Sequence, residues 1–153
     1  TSYAGMGTTI VSILASNENG EIYVAHVGDS RCYCFYNGKL DQVTEDHSLL
    51  NEYIKAGQIT KEQAKNFPHK NVIMRALGMK DNVLVDIMKR DAKPGEIYII
   101  CSDGLSDMIT DPDIEEIMNR GLSLEETGQI LIDQANANGG KDNITLILVK
   151  VEK

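Results

Sequence analysis

Apolar positions in the first third of this chain fall in short runs separated by turn residues. Thr8 to Ala15 and Ile22 to Val27 are rich in β-branched and apolar residues, a composition that suits a pleated, half-buried surface. Asn19-Gly20 lies between them and supplies the positive-φ pair of a tight hairpin. A third run, Arg31 to Tyr36, leads through Asn37-Gly38 into Lys39 to Val43, a second hairpin signal. Two hairpins in succession predict an antiparallel meander. These strands are apolar on both faces, Ile22 and Val24 against Ala25 and Val27, so the sheet should be covered on both sides.

The spacing then becomes helical. Leu49, Leu50, Tyr53 and Ile54 mark a helix with Gly57 as its stop. Thr60 to Gln63 is a capping box for a short second helix, limited by Pro68. Ile97 to Cys101 returns to strand. Asp111-Pro112 predicts a helix with Asp111 as cap, ending near Gly121. Ser123 to Glu126 is a second capping box, opening a helix through about Asn138, and Ile144 to Val151 reads as a closing strand. The order predicts a single α+β domain over residues 1–153.

Composition narrows the function classes. The 153 residues are 42% hydrophobic and 25% charged, which excludes wholesale disorder. A net charge of −8 argues against nucleic acid and anionic membranes as partners, because both need clustered Lys and Arg. No apolar run approaches the ~20 residues that span a bilayer. The start, Thr1-Ser2-Tyr3-Ala4-Gly5, lacks the basic and apolar regions of a signal peptide. Cys32, Cys34 and Cys101 suggest no disulfide framework; they read as buried small hydrophobes in a reducing, cytoplasmic setting.

Candidate chemistry sits at strand ends. Ile97 to Cys101 runs into Ser102-Asp103-Gly104, and Gly139-Gly140-Lys141-Asp142-Asn143 runs into Ile144 to Leu148. A carboxylate there is held by a buried element yet faces the rim, as a metal ligand requires. Oxygen-only ligands select hard cations such as Mg²⁺ or Mn²⁺. Asp-Gly and Asp-Asn are also ordinary turn formers, so each motif alone admits both readings. Val27-Gly28-Asp29-Ser30-Arg31 is a third such place, which alone reads as a bulge. No calcium loop fits around Asp107, Asp111 and Asp113, and there is no P-loop or G-x-S-x-G elbow. His26, His47 and His69 lack ligand spacing and read as structural or exposed.

The order of these pieces resembles a known family. Met6-Gly7-Thr8-Thr9, Val27-Gly28-Asp29-Ser30-Arg31 and Thr44-Glu45-Asp46-His47-Ser48 are similar to successive motifs of the metal-dependent protein phosphatases, the PPM or type 2C family. Asn71-Val72-Ile73-Met74-Arg75-Ala76-Leu77-Gly78, Cys101-Ser102-Asp103-Gly104-Leu105 and Asp142-Asn143-Ile144-Thr145 continue the series. The resemblance covers essentially the whole chain. The helical stretch over residues 49–77 looks like the flap insertion of the bacterial branch.

The resemblance implies a sandwich of two antiparallel β-sheets flanked by helices. It implies hydrolysis of phosphoserine and phosphothreonine in proteins by a water held between two Mn²⁺ or Mg²⁺ ions. By motif match Asp103 and Asp142 correspond to metal ligands, and Asp29 to the residue that helps bind a third, weaker metal. Ser102 and Asn143 are placed to support them. A cognate Ser/Thr kinase that supplies the phosphoprotein substrates is the family-level expectation. The family's phosphate-contacting Arg, Glu-Asp pair and Asp-Gly-x-Gly-Gly motif have no counterpart here, and Phe67-Pro68 stands where bacterial relatives often show His-Pro. The chain is therefore expected to be the C-terminal portion of such a domain, impaired when alone. The rival expectation is a non-catalytic binding module that has kept the sandwich.

Overall fold

The first hairpin joins β1 (Ile10–Ser16) to β2 (Glu21–Val27), in antiparallel register from Ile10↔Val27 to Ser16↔Glu21. The second joins β3 (Arg31–Tyr36) to β4 (Lys39–Gln42) through Asn37 and Gly38, both at positive φ, as a type I′ turn requires. The computed structural model describes residues 5–16, 18–64, 67–68 and 72–152; His69 and Asn71 lie outside them. The expected meander is not one sheet. Its two hairpins separate at Gly28 to Ser30 and enter different sheets.

β5 (Asp86–Asp91), which no apolar run announces, pairs antiparallel with β2. β6 (Ile97–Cys101) lies between β3 and β7 (Leu146–Lys150), antiparallel to both. The two sheets enclose Ile22, Val24, Cys32, Cys34 and Tyr98. On the other face of the four-stranded sheet, Tyr33, Ile99 and Cys101 pack under three helices. These are α3 (Asp103–Ser106), α4 (Asp111–Met118) and α5 (Leu124–Ala137). The fold is thus α+β, two antiparallel sheets plus helices; only the four-stranded sheet is covered on both faces, and the expected double cover fails for the sheet of β1, β2 and β5, whose outer face leaves Leu14 and Ile87 exposed. The three cysteines are buried and free. Among the described residues no helix is long and apolar enough to cross a membrane.

Caps set the helix boundaries. Ser123 and Glu126 form the expected capping box of α5. Helix α4 starts one residue earlier than expected. Thr110 is the N-cap, accepting from the Asp113 N–H, while Asp111 and Pro112 occupy the first turn. Residues 49–77 carry α1 (Leu49–Lys55), which buries none of its residues, and α2 (Lys61–Ala64) with the expected Thr60/Gln63 box. The ends of this excursion are tied together. Leu49 N–H donates to Val72 O at 2.8 Å, and Met74 N–H to His47 O at 2.8 Å.

Ile99 is fully buried in β6, whereas Leu14 on β1 is 67% exposed. Ile99→Ala should lower stability by about 2–5 kcal/mol, and Leu14→Ala by less than about 0.5 kcal/mol. Urea unfolding reads both, and equal effects would contradict the layer assignment.

Candidate metal centre

Strand β6 ends at Cys101, and the backbone turns at once into α3. Ser102 laces this end to the segment before β7. Its N–H donates to Thr145 O at 3.0 Å, and its hydroxyl donates to Asn143 O at 3.0 Å. The same hydroxyl accepts from Thr145 N–H at 3.1 Å. Gly104 is needed here, because a Cβ would overlap the Asn143 carbonyl. The Asp103 and Asp142 motifs, far apart in sequence, are thereby brought to one rim. Asp142 is exposed, with one carboxylate oxygen accepting from Asn143 N–H at 2.7 Å.

Asp29 reaches the same rim from the link between β2 and β3. Gly28 before it sits at φ +114°, and a Cβ there would overlap the Thr9 side chain. Thr9 and Ser30 join their hydroxyls at 2.9 Å. The Met-Gly-Thr-Thr segment also meets the Arg75 to Gly78 turn, through the Thr8–Leu77 bridge.

Asp29 and Asp103 line a cavity of about 60 Å³ together with Asp46 and Asp107. Asp142 lies beside Asp103, outside that lining. Asp46 is neutralised by Arg31, whose Nε and Nη2 donate to its carboxylate at 2.6–3.1 Å. Arg31 Nη1 also donates to Tyr33 Oη, which donates to Asp111 Oδ1 at 3.0 Å. The Asp29 carboxyl is pushed up to about 6, first by burial and then by the charges of Asp103, Asp46 and Asp107. Asp103 is raised too, by burial and then by Asp142 and Asp107. Asp107 and Asp46 are not among the expected ligands, yet both line the cavity. The signal for Asp107 was its spacing, since four residues after Asp103 is one helical turn.

Crowded carboxylates held half-buried favour a proton or a cation. Oxygen donors alone suit a hard divalent ion. Among the described residues, however, no three His, Cys, Asp or Glu side chains group closely enough to hold an ion together. The donors present fit part of a coordination set.

Comparison with known proteins finds similar chains and a similar fold. Residues 3–53 match the family model described as Protein phosphatase 2C. The serine/threonine phosphatase stp of Listeria welshimeri is 42% identical over 146 residues, 95% of this chain and 57% of that protein. The Mycobacterium tuberculosis serine/threonine phosphatase PstP/Ppp superposes with a TM-score of 0.92 at 36% identity, over 98% of this chain and 62% of its own. A catalytic domain of serine threonine protein phosphatase PstP, solved in complex with two manganese ions, superposes at 0.87 with 35% identity, over 98% and 61%. The chain spans about three fifths of the length of these relatives.

The Asp29 shift predicts a pH dependence. Its folded pKa of about 6 lies above the ordinary 3.8, so the folded chain holds this proton more tightly than the unfolded one. That contribution is fully present below pH 3.8 and lost as pH rises through about 6. In chelator at pH 7, Asp29→Asn should raise Tm, with the gain shrinking toward pH 4.5. A variant melting at or below the parent at pH 7 would contradict the crowding.

Proposed function

Because this chain belongs to the bacterial branch of the PPM, or protein phosphatase 2C, family, we propose that its parent protein hydrolyses phosphoserine and phosphothreonine in proteins. The observation that carries this reading is the convergence of Asp29 and Asp103 on one cavity, with Asp142 beside them. Asp103 and Asp142 would hold two Mn²⁺ or Mg²⁺ ions, and Asp29 a third, weaker one. Two manganese ions in the related PstP domain support this choice. When bound, such ions acidify a shared water and neutralise phosphoryl oxygens.

The chain's own residues do the rest. Ser102 and the Asn143 carbonyl fix the backbone from which Asp103 and Asp142 project. The Arg31–Asp46 pair at 2.6 Å walls the cavity with matched charge, beside the crowded Asp29 and Asp103 carboxylates that would attract a cation. Residues 1–153 form one phosphatase-like domain, with residues 49–77 as a flap. A groove of about 790 Å³ runs from Arg31 and Ser48 along Asn51, Ile54 and Lys55 of α1. That groove adjoins the small cavity and suits the protein chain around a phosphorylated residue. A partner Ser/Thr kinase would supply these phosphoproteins. The buried free thiols suit a reducing cytoplasm, where we place the protein.

Changes behind a metal ligand already cost ~10–100-fold, so Asp103→Asn in the full-length protein should lower Mn²⁺-dependent turnover of a phosphothreonine peptide by more than ~100-fold. Deleting the flap should harm that peptide more than a small aryl phosphate. The 153-residue chain alone should bind Mn²⁺ weakly and turn over poorly. Full activity in Asp103→Asn and Asp142→Asn would favour the rival binding module or ligands elsewhere.

A further inference from the structure

Two buried histidines stack beside the rim without joining its carboxylates. The rings of His26 and His47 lie 4.5 Å apart, 22° from parallel, and are 1% and 7% exposed. His26 Nε2 lies 2.9 Å from Glu45 O, and its Nδ1 has no hydrogen-bond partner among the described residues. Its ring therefore serves as a flat, dry backing. His47, against that backing, does something more specific.

His47 engages both backbone polar groups of Gly28, the residue before Asp29. Its Nδ1 accepts from the Gly28 N–H at 3.0 Å, and its own N–H donates to the Gly28 carbonyl at 2.9 Å. Gly28 is the left-handed residue, at φ +114°, through which the backbone turns to present Asp29. Thr9 blocks one side of that turn, and His47 closes the other.

The acceptor role fixes the tautomer. With the Nδ1 lone pair committed to Gly28, the neutral ring carries its proton on Nε2. That atom lies 3.3 Å from Asp86 Oδ2. Arg75 Nη1 is also near Nε2, at 3.0 Å, but two donors cannot bond to each other. They share Asp86 instead, with Arg75 donating to Oδ1 at 2.6 Å. A run of contacts therefore passes from Asp86 on β5 through His47 to Gly28, and Asp29 is the next residue.

We infer that His47 is a positioning residue for the metal rim: its Nδ1 orients the Gly28 peptide and so the Asp29 carboxylate, while Arg75 and Asp86 hold the ring in the accepting tautomer. This rests on the reading of Asp29 as a metal ligand. An outer partner that fixes a ligand commonly changes metal affinity by ~10–100-fold when lost.

Two variants separate positioning from mere packing. In His47→Asn the amide oxygen can stand where Nδ1 stands and accept from Gly28. In His47→Gln the polar group moves out to the Nε2 position and the Gly28 N–H loses its acceptor. In the full-length protein, calorimetric titration with Mn²⁺ should show the weakest ion losing ~10-fold or more in His47→Gln and about threefold or less in His47→Asn. The Gly28 amide, followed by hydrogen exchange without metal, should be unprotected in His47→Gln alone. Equal Mn²⁺ affinity in both variants and the parent would overturn the inference, and so would equal loss in both. Asp29→Asn with unaltered Mn²⁺ binding would instead overturn the ligand reading. In that case the Gly28 amide still decides whether the clasp exists, and the inferred effect on the metal rim fails with the ligand.

Discussion

Burial of the β3–β6 pair on both faces is the constraint from which the rest of the molecule follows. With Cys32, Cys34 and Tyr98 against one layer and Tyr33, Ile99 and Cys101 against the other, polar side chains have no place along these strands. They collect where the strands stop. Arg31 begins β3 and Ser102-Asp103 follows β6, so the charged rim is a geometric result of a dry sheet. Ser102 then completes the hydrogen bonding that the sheet ladder leaves at its end.

The rim is a place where local stability is given up. Asp29 and Asp103 would each be easier to hold apart or exposed, and burial raises both carboxyls. Nearby groups show that the fold can neutralise charge when nothing else is asked of it. Asp46 receives a forked Arg31, and Asp86 receives Arg75. Arginine-matched carboxylates thus stand beside crowded ones, and the crowded ones are those proposed to take a ligand.

Much of this was legible in the sequence because the signals are local. The Asn37-Gly38 turn, both capping boxes and the unbroken Ile97 to Cys101 run each specify their own element, and Asp103 and Asp142 stand out because they border such runs. What was not legible depends on partners distant in sequence. Nothing in Gly28 to Ser30 says that β2 and β3 part company, since both hairpins carry the same signals whether they share a sheet or not. β5 hides because its pattern is inverted: Ile87 points outward at 66% exposure while Asp86 and Arg90 are half-buried. His47 hides for a related reason. Its partners are a backbone amide and an aspartate 39 positions away, which no spacing rule detects.

The closed base of the excursion has an evolutionary consequence. Since the bonds around His47, Leu49, Val72 and Met74 bring its ends together, the two sheets do not register how much chain lies between. Doubling such a loop adds only about 0.6 kcal/mol of closure entropy. Lineages are thus free to lengthen, shorten or recompose this stretch at almost constant stability while the rim beside it stays unchanged.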